Sequence, residues 1–83
     1  MAGAVSSEAY KSLRAILVQE RRRSGLSQAR LAERLGKPPS YVAKYELGER
    51  RLDMIETLVV LTVLGADISA IVGELLPDLP ETL

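Results

Sequence analysis

The 83-residue chain has no cysteine, no histidine, no tryptophan and no phenylalanine, and its aromatic side chains are three tyrosines. Without cysteine, neither a disulfide nor a thiolate zinc site can add stability. Without histidine, the commonest imidazole metal ligand and the side chain that titrates near neutral pH are gone too. No metal or other cofactor is expected. An enzyme would have to work with scattered carboxylates, no glycine-rich phosphate loop and no plausible nucleophile. The N-terminal MAGAVSSEAY has no basic n-region and no long apolar h-region. No charge-free run reaches the ~18 residues of a membrane helix. The expectation is a soluble, cytoplasmic protein without a membrane partner. At this length a single core is only just large enough to fold unaided, so self-association would help.

Formal net charge is zero, but the charges are not mixed. Residues 1–51 carry all eleven Lys and Arg against five acids, a net +6, and residues 52–83 carry six acids and no base, a net −6. A basic half can meet phosphate while an acidic half faces away and limits non-specific attachment.

Apolar spacing then organises the chain. Leu31, Ala32 and Leu35 make the stripe of a short amphipathic helix that Ser27 caps and Gly36 ends. Pro38 and Pro39 stop it from running on. A second helix follows, with Pro39 in its first position, Val42 and Tyr45 inward, and Gly48 at its end. Two short helices around a tight glycine turn form the unit that places its second helix in a DNA major groove. Before this pair, a helix capped by Ser6 or Ser7 is expected to run to about Ser24, with Leu13, Ile16, Leu17 and Glu20 to Arg21 along its inward side. After it, Asp53 caps a fourth helix to Leu64. Met54, Ile55, Leu58, Val59, Val60, Leu61, Val63 and Leu64 make that helix apolar nearly all round, so it either runs through the middle or buries a second side on another chain. Gly65 ends it, Asp67 caps a fifth helix to about Leu76, and Pro77 stops that one. Gly73 within the fifth helix costs ~1 kcal/mol relative to alanine, which close approach of a neighbouring helix would explain. The tail PDLPETL is expected to carry little structure, with Leu79 and Leu83 available to an interface.

The residues Gly25-Leu-Ser-Gln-x-x-Leu-Ala-x-x-Leu-Gly36 followed by Ser40-Tyr-Val-x-Lys-Tyr-Glu-x-Gly48-x-Arg-x-Leu52 resemble the Cro/repressor (XRE) helix-turn-helix family, over about Leu13 to Leu76. The resemblance implies an all-α, five-helix, lambda-repressor-like domain. Residues 1–6 would be a flexible start, 7–76 the domain with its helix-turn-helix at 27–48, and 77–83 a tail. It also implies that Arg21 pairs with Glu46, tying the first helix to the reading helix. Gln28 matches the glutamine that contacts the DNA backbone and braces a recognition-helix side chain, and Arg22 and Arg23 face solvent. Leu47 stands where the family usually has a polar residue.

Proline departs from the family pattern at positions 38 and 39. Pro39 can touch a thymine methyl but cannot hydrogen-bond a base edge, so direct readout falls on Ser40 and, one turn later, on Lys44. Lys44 suits guanine O6 and N7 or a phosphate equally. Lys37 is expected on phosphate, and Tyr41 either on phosphate through its hydroxyl or packed under the turn. Arg50 and Arg51, in a basic loop that in the resemblance runs beside the DNA backbone, are the expected phosphate clamps. In relatives the last helix commonly forms a two-fold interface, for which Ile68, Ile71, Val72, Leu75 and Leu76 are the candidates, unless they only complete the core. The reading is a non-enzymatic, sequence-specific transcriptional regulator that binds double-stranded DNA as a homodimer. Its rival is an antitoxin-like or adaptor module whose C-terminal apolar helices take a protein partner, with DNA binding secondary.

Overall fold

The computed structural model describes residues 8–83. The Ser6 or Ser7 cap and the expected flexible start lie outside them. Among the described residues there are five α-helices and no strand: α1 (Glu8–Arg23), α2 (Gln28–Leu35), α3 (Ser40–Leu47), α4 (Met54–Val63) and α5 (Ile68–Leu75), then a 3-10 turn (Leu76–Asp78). None of the helices is long and apolar enough to cross a membrane.

Each boundary has a local cause. The Ser27 hydroxyl accepts the N–H of Arg30, 3.1 Å away, at the start of α2. Gly36 ends that helix at φ 70°, a left-handed conformation open to glycine at little cost. Asp53 and Glu56 close α4 in a reciprocal capping box, and Asp67 takes the N–H of Ala70 at α5. The entry to α3 differs from the expectation by one residue. Pro39 already has helical angles (φ −55°, ψ −30°) but stands outside the helix. The reason is that the Tyr41 N–H closes a tight turn on the Pro38 carbonyl at 3.0 Å, three residues back rather than four.

The core is Leu17, Leu31, Ala32, Val42, Tyr45, Leu52, Val60, Leu61, Leu64 and Ile71, drawn from all five helices and the loop before α4. Burying each of the larger aliphatic side chains contributes about 1.5–3 kcal/mol. Ala32 on α2 is fully buried in this core. Leu52 plugs the core from its loop, and its N–H donates to the Tyr10 hydroxyl at 3.2 Å.

The fourth helix does not run through the middle. Val60, Leu61 and Leu64 at its C-terminal end face the core, while Met54, Ile55, Leu58 and Val59 are exposed, Met54 by 77% and Ile55 by 67%. Among the described residues no neighbour explains Gly73, because a Cβ added there would meet nothing within 4 Å. On α5, Ile71 belongs to the core and Ile68 and Leu75 pack against it, whereas Val72, and Leu76 at the start of the 3-10 turn, are exposed. Pro77 stands just past the end of α5, as expected of a residue that stops that helix. It is accommodated in the first turn of the 3-10 segment, where its missing N–H is no loss, and the Ser12 hydroxyl holds Asp78 at 3.0 Å.

Candidate nucleic-acid interface

The third helix turns Val42 and Tyr45 inward, fully buried, and so presents Ser40, Lys44 and Leu47 to solvent. The orientation is fixed at Glu46. Arg21 grips its carboxylate with two nitrogens, Nε to Oε2 at 2.7 Å and Nη2 to Oε1 at 3.2 Å, and Gln28 Nε2 adds a third bond to Oε1 at 2.8 Å. The remaining guanidinium nitrogen of Arg21 donates to the Leu26 carbonyl at 2.9 Å. With 11% and 6% of their side chains exposed, Arg21 and Glu46 exchange hydration for charge-assisted bonds to each other and to their neighbours. Helices α1, α2 and α3 are thus locked at one carboxylate. The expected Arg21–Glu46 pair is present. Gln28 sits beside it as a brace, with its amide committed to Glu46.

Arg14, which the sequence did not single out, joins the same lock. Its Nη1 donates to the Glu46 main-chain carbonyl at 3.2 Å, where the last turn of α3 has unpaired acceptors. Arg14 and Arg21 are seven residues apart on α1, two helical turns on one face, and that spacing was the available signal.

Around the N-terminal half of α3 the exposed polar groups converge. Lys37, Pro38, Ser40, Tyr41, Lys44 and Arg50 line one hollow of about 280 Å³. Three cations and two hydroxyls face it, and no carboxylate is among its lining residues. Tyr41 organises it. Its ring meets Tyr45 edge-on at 5.8 Å and carries Arg50 at 5.1 Å and Lys37 Nζ at 5.4 Å. Cations held against an aromatic face keep their charge outward while losing side-chain freedom. Such a concavity can bind a polyanion through point charges and hydroxyl donors.

Five of the residues read as DNA contacts, Lys37, Ser40, Tyr41, Lys44 and Arg50, are brought together there. Pro39 is exposed at the entry to α3 beside Pro38. Arg51 parts from Arg50: its guanidinium lies 4.6 Å from the Tyr10 ring, and it lines another hollow with Leu13, Leu75 and Leu79. A second residue missed in the sequence is Glu56, whose Oε2 receives Arg50 Nη2 at 2.6 Å and the Tyr41 hydroxyl at 3.3 Å. The backbone N–H of Asp53 chiefly, and then Arg50 and Tyr41, hold the Glu56 carboxyl below the usual glutamate range. Asp53-x-x-Glu56 has capping-box spacing, which would have located it.

A family model for the helix-turn-helix matches residues 17–69. The chain belongs to the XRE family of helix-turn-helix proteins. A solved structure of an XRE-family like protein from Pseudomonas syringae pv. tomato str. DC3000 superposes with a TM-score of 0.78 at 39% identity, covering 87% of this chain and 88% of that one. No curated protein matches the chain. Membership makes this XRE-family chain a DNA-binding regulator of the helix-turn-helix kind, with α2 and α3 as the motif and α3 as its exposed second helix.

Proposed function

We propose that the protein is a sequence-specific transcriptional regulator, a repressor in its simplest form, that binds a two-fold-related operator as a homodimer. The observation that carries this reading is the cationic hollow at the start of α3, with Lys37, Lys44 and Arg50 around Ser40 and Tyr41. Lys37, Arg50 and the Tyr41 hydroxyl set register on phosphates. Ser40 and Lys44, exposed on α3, choose bases. Two recognition helices spaced by one DNA turn, ~34 Å, enter successive major grooves, and occupancy of the operator excludes polymerase.

The dimer surface of this reading is the groove between α4 and α5, where Met54, Leu58, Ile68, Val72 and Leu75 line a largely apolar hollow of about 280 Å³. A second copy there would cover side chains that the protomer leaves in water. The outward Met54 and Ile55 also favour a second reading, in which a different protein docks on α4. The two separate by oligomeric state: a homodimer in sedimentation equilibrium that Val72→Asp dissociates supports the first, and a monomer supports the second.

DNA binding is tested by titrating labelled duplex over a salt series. Replacing Lys37, Lys44 and Arg50 together by alanine should weaken binding and flatten the dependence of log K on log salt by about 0.9 for each phosphate that is no longer neutralised. Equal binding by the triple variant would remove the hollow from the interface.

A further inference from the structure

Glu56 is not a loose surface glutamate. Its Oε1 accepts the Asp53 N–H at 2.9 Å as half of the capping box of α4. That bond aims the other oxygen, Oε2, at Arg50 Nη2 (2.6 Å) and at the Tyr41 hydroxyl (3.3 Å). An anionic oxygen that receives an arginine N–H and a tyrosine O–H is the arrangement a DNA phosphate oxygen would make with the same two donors. The carboxylate therefore stands in a phosphate's place at the edge of the cationic hollow.

Resting on the DNA-binding reading above, we infer that Glu56 competes with the DNA backbone for Arg50 and Tyr41, and so holds down the affinity of the protein for duplex of any sequence. For Arg50 to take a phosphate, an existing ion pair must open, and the freed carboxylate then faces the polyanion. Ser40 and Lys44, which carry base choice, have no bond to Glu56, so the effect falls on the sequence-independent part of binding. Glu56 is a positioning residue acting through Arg50. It limits attachment to the wrong DNA.

The test is Glu56→Gln, which removes the charge and keeps a residue type that capping boxes accept. The purified chain is titrated with a labelled random-sequence duplex over a salt series, alongside wild type, Arg50→Ala and the double variant. The expected result is an affinity for random duplex raised about two- to tenfold in Glu56→Gln, with a salt slope steeper by about one. In the Arg50→Ala background the gain should fall to the smaller share owed to Tyr41 and to repulsion by the carboxylate. An unchanged or weaker affinity in folded Glu56→Gln would overturn the inference, since Glu56 would then organise Arg50 for phosphate. A gain that persists in full without Arg50 would overturn it as well, leaving only through-space repulsion. Should Glu56→Gln not fold, Glu56→Asp takes its place, with its carboxylate drawn back by one methylene; a smaller rise is expected, and no rise overturns the inference. If wild type and variants all fail to bind duplex at low salt, the DNA-binding reading falls along with it, whereas wild-type binding without the gain sinks the competition alone.

Discussion

Arg14 lies across Gly48: a Cβ added to that glycine would stand 2.5 Å from Arg14 Nη1, the nitrogen that also bonds the Glu46 carbonyl. Gly48 further holds φ 84°, so alanine there meets backbone strain and a displaced guanidinium together. Gly48→Ala should lower stability by about 1–2 kcal/mol. Gly36→Ala, with a similar φ of 70° but no neighbour within 4 Å of the new Cβ, should cost less. Thermal unfolding of the two variants checks the order, and equal losses would assign the whole effect to backbone strain.

Arg21→Ala leaves the Glu46 carboxylate nearly buried and dependent on Gln28 alone for a side-chain donor. Breaking such a pair costs on the order of 3 kcal/mol. Since Glu46 fixes the rotation of α3, DNA affinity should fall with stability. Chemical denaturation and duplex titration on one preparation measure both, and survival of either property would remove the pair from its role as a lock.

Lys44→Ala separates base reading from phosphate binding. A base contact predicts a loss of ~1–3 kcal/mol on the preferred site with relaxed preference at one position. A phosphate contact predicts a uniform loss on all duplexes and a shallower salt slope. Comparing affinities on single-base variants of the site decides between the two.

The depressed Glu56 carboxyl makes part of the stability pH-dependent. A carboxyl whose folded pKa lies below its unfolded value adds stability that is present above the unfolded value, ordinarily 4.5, and is lost as pH falls through the folded value. The melting temperature of wild type should therefore exceed that of Glu56→Gln by a constant margin near neutrality, and the margin should shrink as pH falls below 4.5. A margin that does not change with pH would mean that the carboxylate charge adds nothing to folding.

Much of the fold was legible because its punctuation is local. Ser27, Gly36, Gly48, Asp53 and Asp67 act within one turn of the chain, and each stands at the boundary the sequence marks. The Arg21–Glu46 pair was legible through family resemblance alone, since the partners are 25 residues apart and no spacing rule joins them. The rest depends on which way a residue faces once the helices have packed. Arg50 and Arg51 are neighbours in a non-helical loop, where successive side chains diverge, so one enters the hollow and the other stacks on Tyr10. Composition likewise could not say which side of α4 stays in water, because both sides are apolar and only packing against α2 and α5 chooses. Arg14 and Glu56 have readable spacings on α1 and in the capping box, but their partners lie on other elements and emerge only in three dimensions.

If the hollow at α3 reads DNA sequence, the most direct measurement is selection of binding sites from randomised duplex by the purified chain at physiological salt, followed by sequencing of the retained pool. The predicted result is an enriched inverted repeat with half-sites about ten base pairs apart, and a pool selected by Lys44→Ala that loses preference at one position of each half-site. A pool that binds yet stays random would contradict sequence reading by the hollow.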